Sequence, residues 1–211
     1  MPFQFTKSKV VAFGKFLTAG SLASAGGWKL WTRHCYFEPF GPENDALFQS
    51  QYFKQHNPGN HPSLDDSCVR KVPLSQIPAE LVDDALNGGS KLVERFCAGV
   101  WGGYGTIVTD HFMVVGKTPR SITMWGAESP SENAGVPRDM ENLSEITADI
   151  DLDQGVAEFR LKNIFYSGVE RTAKSLFPAP IVWLHFQYCK LLVEAGFGGK
   201  AVKILEVDDF S

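Results

Sequence analysis

Two neighbouring segments that alternate between polar and apolar residues constrain the fold of this chain more than any other feature. Residues 143–152 alternate almost without exception, and residues 156–166 repeat the pattern. A period of two predicts β-strands with one buried face. Asp153, Gln154 and Gly155 between them are residue types that form tight turns. The sequence therefore predicts an antiparallel hairpin that is buried on one side.

Other elements are predicted upstream of this hairpin. β-Branched residues at 106–116 and 121–127 predict a second hairpin. Before it, a short strand at 69–72 is followed by two predicted helices, one beginning near Pro78 and one capped by Ser90. Because antiparallel strands and helices occur in separate runs, the chain is predicted to belong to the α+β class.

The clearest helix is predicted near the C-terminus, where Pro178 and Pro180 precede an apolar stripe. Members of the stripe recur at spacings of three and four residues, which places them on one helix face. Gly196 is expected to end the helix. The stripe consists of Ile181, Leu184, His185, Tyr188, Leu191 and Leu192.

Composition divides the chain into four parts. Residues 1–37 contain five basic and no acidic residues, which predicts a basic apolar arm, a targeting segment or an anchor at a membrane surface. Residues 38–67 are predicted to be a connector rich in Pro and Gly, 68–197 the folded domain, and 198–211 an acidic tail. These features favour a cytoplasmic, membrane-associated or mitochondrion-associated protein over a secreted one.

Charge and motifs exclude several classes of function. With 20 Lys and Arg against 24 Asp and Glu, the net charge is −4, so we expect no nucleic-acid partner. The four cysteines are widely spaced, which predicts free thiols and no metal site. No G-x-S-x-G motif and no dinucleotide-binding glycine motif after a strand is found, so we expect neither a serine hydrolase nor a nucleotide cofactor.

The order of predicted elements over about residues 68–197 resembles that of START-like (SRPBCC) helix-grip proteins. Four segments are also similar to a fungal protein family: WTRHC at 31–35, KLVERFCAGVWGGYG at 91–105, TDHF at 109–112 and WLHFQYCKL at 183–191. The resemblance implies a curved sheet that grips the C-terminal helix, with an apolar cavity between them. It further implies a cyclase, isomerase or dehydratase of fungal secondary metabolism that acts on a polyketide- or terpenoid-like substrate. The alternative is a carrier of lipids or other hydrophobic ligands that contacts a membrane surface through residues 1–37.

The resemblance brings no catalytic residue with it, so the candidates come from the sequence itself. His185 lies on the apolar stripe and is predicted to face the gap between helix and sheet. His111 faces the same gap only in one of two strand phases, and the sequence leaves both open. Two histidines in one cavity can transfer protons to and from a substrate, and Tyr166 would add a hydrogen-bond donor. A histidine bonded to a backbone carbonyl in the core is the alternative. Lys162 is expected in solvent.

Five further residues are candidate ligand contacts. Trp101 and Tyr104 are predicted either to stack on a ligand or to fill the core. Arg95 is predicted at the mouth of the cavity. Phe165 and Tyr188 lie on faces that are predicted to border the cavity.

Overall fold

The chain forms two compact units, Met1–His34 and Cys35–Ser211. In the first unit, helix α1 covers residues 24–31, and the Thr32 hydroxyl donates a hydrogen bond to the Trp28 carbonyl oxygen at 3.0 Å. Among the residues described, no helix is long and apolar enough to cross a membrane. The computed structural model describes residues 24–57, 62–102, 112–126, 136–169 and 176–198.

The second unit is built on one open, six-stranded antiparallel sheet. Its strand order is β1-β2-β6-β5-β4-β3, so β2, the first long strand, lies beside the last one, β6. The α+β class predicted from the sequence is confirmed. The strands are β1 (Cys35–Glu38), β2 (Leu64–Pro73), β3 (Phe112–Lys117), β4 (Ser121–Gly126), β5 (Glu141–Asp151) and β6 (Val156–Tyr166).

The strand pairing of both predicted hairpins is confirmed over the described residues, which exclude 106–111 and 127. The prediction that the first hairpin is buried on one side only is wrong, because buried apolar residues lie on both of its faces. β5 and β6 pair along their whole length, from Asp151 opposite Val156 to Glu141 opposite Tyr166. The turn between them contains Gly155 at a φ of +65°, a left-handed conformation that glycine adopts at little cost. β3 and β4 form the second hairpin, with a register shift between Val114 and Gly116.

Helix α5 covers one face of the sheet together with α4. The Ile181 and Val182 amides donate to the Pro178 carbonyl oxygen and so close the first turn of α5. The predicted end at Gly196 is wrong, because this glycine serves packing instead: a Cβ there would meet the Phe96 ring at 2.4 Å. The helices of the unit are α2 (Gln51–His56), α3 (Ala79–Leu86), α4 (Lys91–Gly102) and α5 (Ala179–Gly198).

The sheet has an apolar layer on each face. The helix-side layer contains Leu92, Phe96, Ile146, Phe159 and Leu192. The second layer packs the segment between β1 and β2 against the opposite face of the sheet. Its buried members are Leu47, Phe48, Phe53, Trp125, Leu143, Ile164 and Tyr166.

Lys162 lies beneath the second layer, and its predicted exposure to solvent is wrong. Its side chain is 13% exposed, and Nζ lies 2.8 Å from carboxylate oxygens of Asp45 and Glu145. Asp45 belongs to the segment that covers this face, where its side chain also accepts a hydrogen bond from the Leu47 amide. Lys162 therefore lies under a covering segment that strand alternation cannot predict.

Candidate functional site

A polar cluster lies inside the helix-side layer, where α5 crosses β2 and β6. Asp66 on β2 is directly opposite Asn163 on β6, and both are buried. His185 and Cys189 are one turn apart on α5, which places them on the same helix face. The His185 side chain is 16% exposed, and Cys189 is buried. We call Asp66, Asn163, His185 and Cys189 the polar cluster.

Hydrogen bonds connect every member of the polar cluster. His185 Nε2 is 2.5 Å from Asp66 Oδ2 and 3.3 Å from Cys189 Sγ. Asn163 Nδ2 donates both to Asp66 Oδ1 at 3.2 Å and to Cys189 Sγ at 3.4 Å. The Ser144 hydroxyl lies 2.8 Å from Asn163 Oδ1. The strand side chains thus orient the two helix side chains.

The surroundings of Cys189 determine what its thiol can do. Burial, followed by the nearby Asp66 carboxylate, raises the pKa of Cys189 above its usual value. A nucleophilic cysteine needs a lowered pKa and access to substrate, so the arrangement does not favour a Cys–His–Asp nucleophile. One ligand atom each from Asp66, His185 and Cys189 lies within 4.8 Å of the others, and such a set can hold a metal ion.

Aromatic rings surround His185. Its imidazole packs edge-on against Phe165 at 5.1 Å between ring centroids and lies 6.0 Å from Phe186. Phe165 also packs against Phe177, at 5.5 Å, and Phe186 against Phe37, at 4.8 Å. All four phenylalanines are partly buried. The histidine is therefore a polar group beside four phenylalanines, which we call the aromatic wall: Phe37, Phe165, Phe177 and Phe186.

The first two turns of α5 leave apolar side chains uncovered beside His185. Ile181, one turn before the histidine, is 47% exposed, and Leu184 is 55% exposed. The prediction that these two stripe residues are buried is wrong. Only the later part of the stripe packs fully against the sheet and α4, where Leu192 is buried. We call Ile181 and Leu184 the apolar patch.

Tyr166 does not join His185. It lies in the second layer, on the opposite face of the sheet from the polar cluster, where its ring packs against Phe53 at 4.9 Å. Burial raises the pKa of Tyr166. The expected convergence fails because alternation on β6 directs Asn163 and Phe165 toward α5 and the next residues away from it. His111 lies outside the described residues.

The remaining predicted contacts are dispersed. Trp101 packs in the helix-side layer against Phe112, at 4.7 Å, and Tyr188 is partly buried in the same layer. Burial raises the pKa of Tyr188. Arg95 lines a cavity of about 150 Å³ between the helices and the sheet, smaller than the ~300 Å³ at which ligand pockets begin. Tyr104 lies outside the described residues.

The sequence left open which residues of the strand predicted at 106–116 face the helices. The structure describes this strand, β3, from Phe112 onward. Phe112 packs in the helix-side layer, whereas Met113 and Val115 pack in the second layer. Both faces of this strand meet an apolar layer, so apolar character alone could not separate the two phases.

Sequence reasoning missed Asp66, Asn163 and Cys189. The spacing of His185 and Cys189 on a predicted helix already indicates two ligating side chains on one face. Nothing local indicates Asp66, which is 119 positions from His185 and lies in the predicted connector. Cysteine spacing considers only neighbours along the chain, whereas the fold brings Asp66 next to His185 and Cys189 from a distant part of the sequence.

The described parts of the chain define an α+β protein with an open antiparallel sheet, a covering layer on each face and a polar cluster under the C-terminal helix. Comparison of the chain with protein-family models, with curated proteins and with solved structures found no match. The resemblance to START-like proteins and to a fungal family therefore stays a prediction.

Proposed function

We propose that this protein is a START-like, helix-grip enzyme that binds an apolar small molecule beside α5 and acts on a polar group of that molecule at His185. The observation that carries the proposal is the setting of His185, a partly exposed imidazole between an aromatic wall and the uncovered apolar patch. The helix-grip assignment is supported by the pairing of β2 with β6 and by the long C-terminal helix.

The apolar patch and the aromatic wall supply binding energy. Covering Ile181 and Leu184 removes apolar surface from water, which contributes roughly 25 cal/mol for each Å² that becomes buried. Phe165 and Phe186 offer ring faces and edges to an unsaturated or aromatic skeleton. The substrate class is therefore an apolar molecule with few polar groups, such as a polyketide- or terpenoid-like compound.

The Asp66–His185 pair supplies the chemistry. Asp66 Oδ2 hydrogen-bonds to Nε2 and so fixes the orientation of the ring, and we assign Nδ1, which lies 4.0 Å from Cys189 Sγ, as the nitrogen for the substrate. When both ring nitrogens carry hydrogen, Nε2–H donates to Asp66 and Nδ1–H can donate to the substrate; such a fixed donor in an apolar setting stabilises negative charge that develops on a carbonyl or hydroxyl oxygen more than water does. Cyclisation, isomerisation and dehydration all develop such charge.

Incubation of the purified protein with a metabolite extract from its source cells tests the proposal. Liquid chromatography with mass spectrometry should show one compound that is converted to an isomer or to a product lacking one water. We expect His185→Ala to retain the compound without converting it. Leu184→Asp should weaken retention at least several-fold, because a carboxylate replaces apolar contact surface.

Leu152→Asp is the matched control, since Leu152 is 63% exposed in the turn between β5 and β6. This variant should behave like the wild type. If the wild type converts no compound, the protein is not an enzyme of this kind. A compound that is retained but unchanged would support the carrier instead.

A further inference from the structure

The polar cluster contains three donor atoms of different chemistry that come together from two elements. Asp66 offers a carboxylate oxygen, His185 a ring nitrogen and Cys189 a sulfur, all within 4.8 Å of one another. Zinc takes oxygen, nitrogen and sulfur ligands at about 2.0–2.3 Å, so its donors lie about 3–4 Å apart. The separation of His185 Nε2 from Cys189 Sγ, 3.3 Å, falls in that range. We infer that Asp66, His185 and Cys189 bind one thiophilic divalent cation of the Zn²⁺ type.

Asn163 binds no metal in this arrangement but hydrogen-bonds to two of the three donor residues. Its amide nitrogen donates to Asp66 Oδ1, which leaves Oδ2 directed at His185, and it also donates to Cys189 Sγ. Hydrogen bonds of this kind orient metal ligands and stabilise a thiolate. Asn163 is itself fixed by Ser144. Asp66 and Cys189 are both almost completely buried, so the donors need no closing segment to exclude water.

Metal binding displaces two hydrogens, one from the Cys189 thiol and one from His185 Nε2. The cation accepts lone pairs from Asp66 Oδ2, His185 Nε2 and Cys189 Sγ. The thiol proton leaves to solvent, and a neutral imidazole carries its hydrogen on Nδ1 instead of Nε2. No atom is oxidised or reduced. Oδ2 and Nε2, now 2.5 Å apart, must separate by about 0.5–1.5 Å to reach the spacing of zinc donors. The nitrogen and sulfur donors disfavour Mg²⁺ and Ca²⁺, which prefer oxygen.

The role of the ion rests on the proposed function, although its binding does not. A cation on Nε2 withdraws electron density from the imidazole and makes Nδ1–H a stronger hydrogen-bond donor. The same ring nitrogen is the one assigned to the substrate. The cation therefore deepens the proposed chemistry by polarising the substrate oxygen through His185.

Titration of the full-length, metal-free protein with Co²⁺ and then Zn²⁺ tests the inference. We expect one equivalent of Co²⁺ to produce visible d–d bands and a near-ultraviolet thiolate-to-cobalt charge-transfer band, and Zn²⁺ to displace it. Asp66→Asn and Cys189→Ser should each weaken Zn²⁺ binding at least tenfold. Cys97→Ser is the matched control, because Cys97 is a partly buried thiol on α4 outside the cluster. It should bind like the wild type.

Circular dichroism melting establishes which variants remain folded, and only those are compared. Equal Zn²⁺ affinity in Asp66→Asn, Cys189→Ser and Cys97→Ser would overturn the inference. If neither cluster variant folds, the wild type decides: a charge-transfer band at one equivalent supports the site, and its absence overturns it. These readouts need no small molecule. Failure to bind metal would leave the proposed enzyme standing, whereas metal binding without any turnover would overturn only the enzyme.

Discussion

Asn163 is the residue on which the polar cluster depends. Its amide nitrogen donates hydrogen bonds to Asp66 and Cys189, and its oxygen accepts one from the Ser144 hydroxyl. All of these groups are buried. Removing the amide leaves buried polar atoms without partners, which costs more than the loss of a hydrogen bond in water.

Asn163→Ala should therefore lower the free energy of unfolding by about 2–4 kcal/mol. Urea denaturation followed by circular dichroism measures the change. Gln154→Ala, in the exposed turn between β5 and β6, is the control and should lie within about 0.5 kcal/mol of the wild type. A loss of the same size in both variants would contradict the role given to Asn163.

Glu141 is the buried acid of the second layer. Trp125 Nε1 donates to its Oε2 at 2.9 Å, and the Arg138 amide donates to its Oε1 at 3.1 Å. Burial nevertheless outweighs these bonds and raises the pKa of Glu141. The folded protein therefore binds this proton more tightly than the unfolded chain does. The resulting stabilisation is fully present at low pH and is lost as the pH rises through the raised pKa.

Compared with Glu141→Gln, the wild type should lose unfolding free energy as the pH rises above the ordinary pKa of a glutamate. Urea titrations at several pH values, read by tryptophan fluorescence, give this difference. Asp153→Asn, in the exposed β5–β6 turn, serves as the control and should show no such trend against the wild type. A difference between the wild type and Glu141→Gln that stays constant with pH would rule out titration of Glu141.

Helices α4 and α5 contact each other through glycines. A Cβ on Gly99 of α4 would lie 2.5 Å from the Gly196 carbonyl oxygen of α5. Because that atom is backbone, the helices would have to separate to admit a methyl group. The close crossing holds α5 against the sheet and thereby positions His185 and Cys189 over β2 and β6.

Gly99→Ala should consequently destabilise the fold by about 1–3 kcal/mol through overpacking. It should also shift the His185 ring resonances in NMR spectra. Gly116→Ala is the comparison, since a Cβ there would meet Thr123 at an ordinary 3.5 Å. If Gly99→Ala is no more destabilising than Gly116→Ala, the crossing does not depend on the glycine contact.

Elements with a long, regular pattern were predictable, and short ones were not. The β5–β6 hairpin follows from eleven-residue strands that alternate polar and apolar residues over most of their length. β1 has only four residues, too few to show alternation, and the second layer rests on a 3₁₀ turn and one short helix. The apolar stripe of α5 was predictable, but the sequence does not indicate that apolar residues in its first two turns are left exposed by the sheet and α4.

The polar cluster forms because of the strand order of the sheet and the path of α5 across it. Asp66 and Asn163 meet because β2 pairs with β6, and His185 reaches them because α5 returns across both strands. His185 was therefore predictable from its helix, whereas its partners required the register of the sheet. The predicted meeting of His185 with Tyr166 failed for the same reason, since one step along β6 changes the face.

The boundary between the two units yields a prediction about truncation. A chain that begins at Cys35 should keep the cooperative thermal transition, because the sheet and the apolar layers described above lie within the second unit. A chain that begins at Pro39 should melt at a lower temperature, because it lacks β1 and the core residue Cys35. Equal melting temperatures for the two truncations would contradict the role of β1.

The proposed function depends on the binding of a small molecule at the apolar patch beside His185. Methyl NMR of the full-length protein, titrated with the compound retained from the metabolite extract, tests it most directly. We expect saturable shifts of the Ile181 and Leu184 methyl resonances and of the His185 ring, with Leu152 unchanged. Shifts confined to Leu47 and Leu143 in the second layer, or none at all, would contradict it.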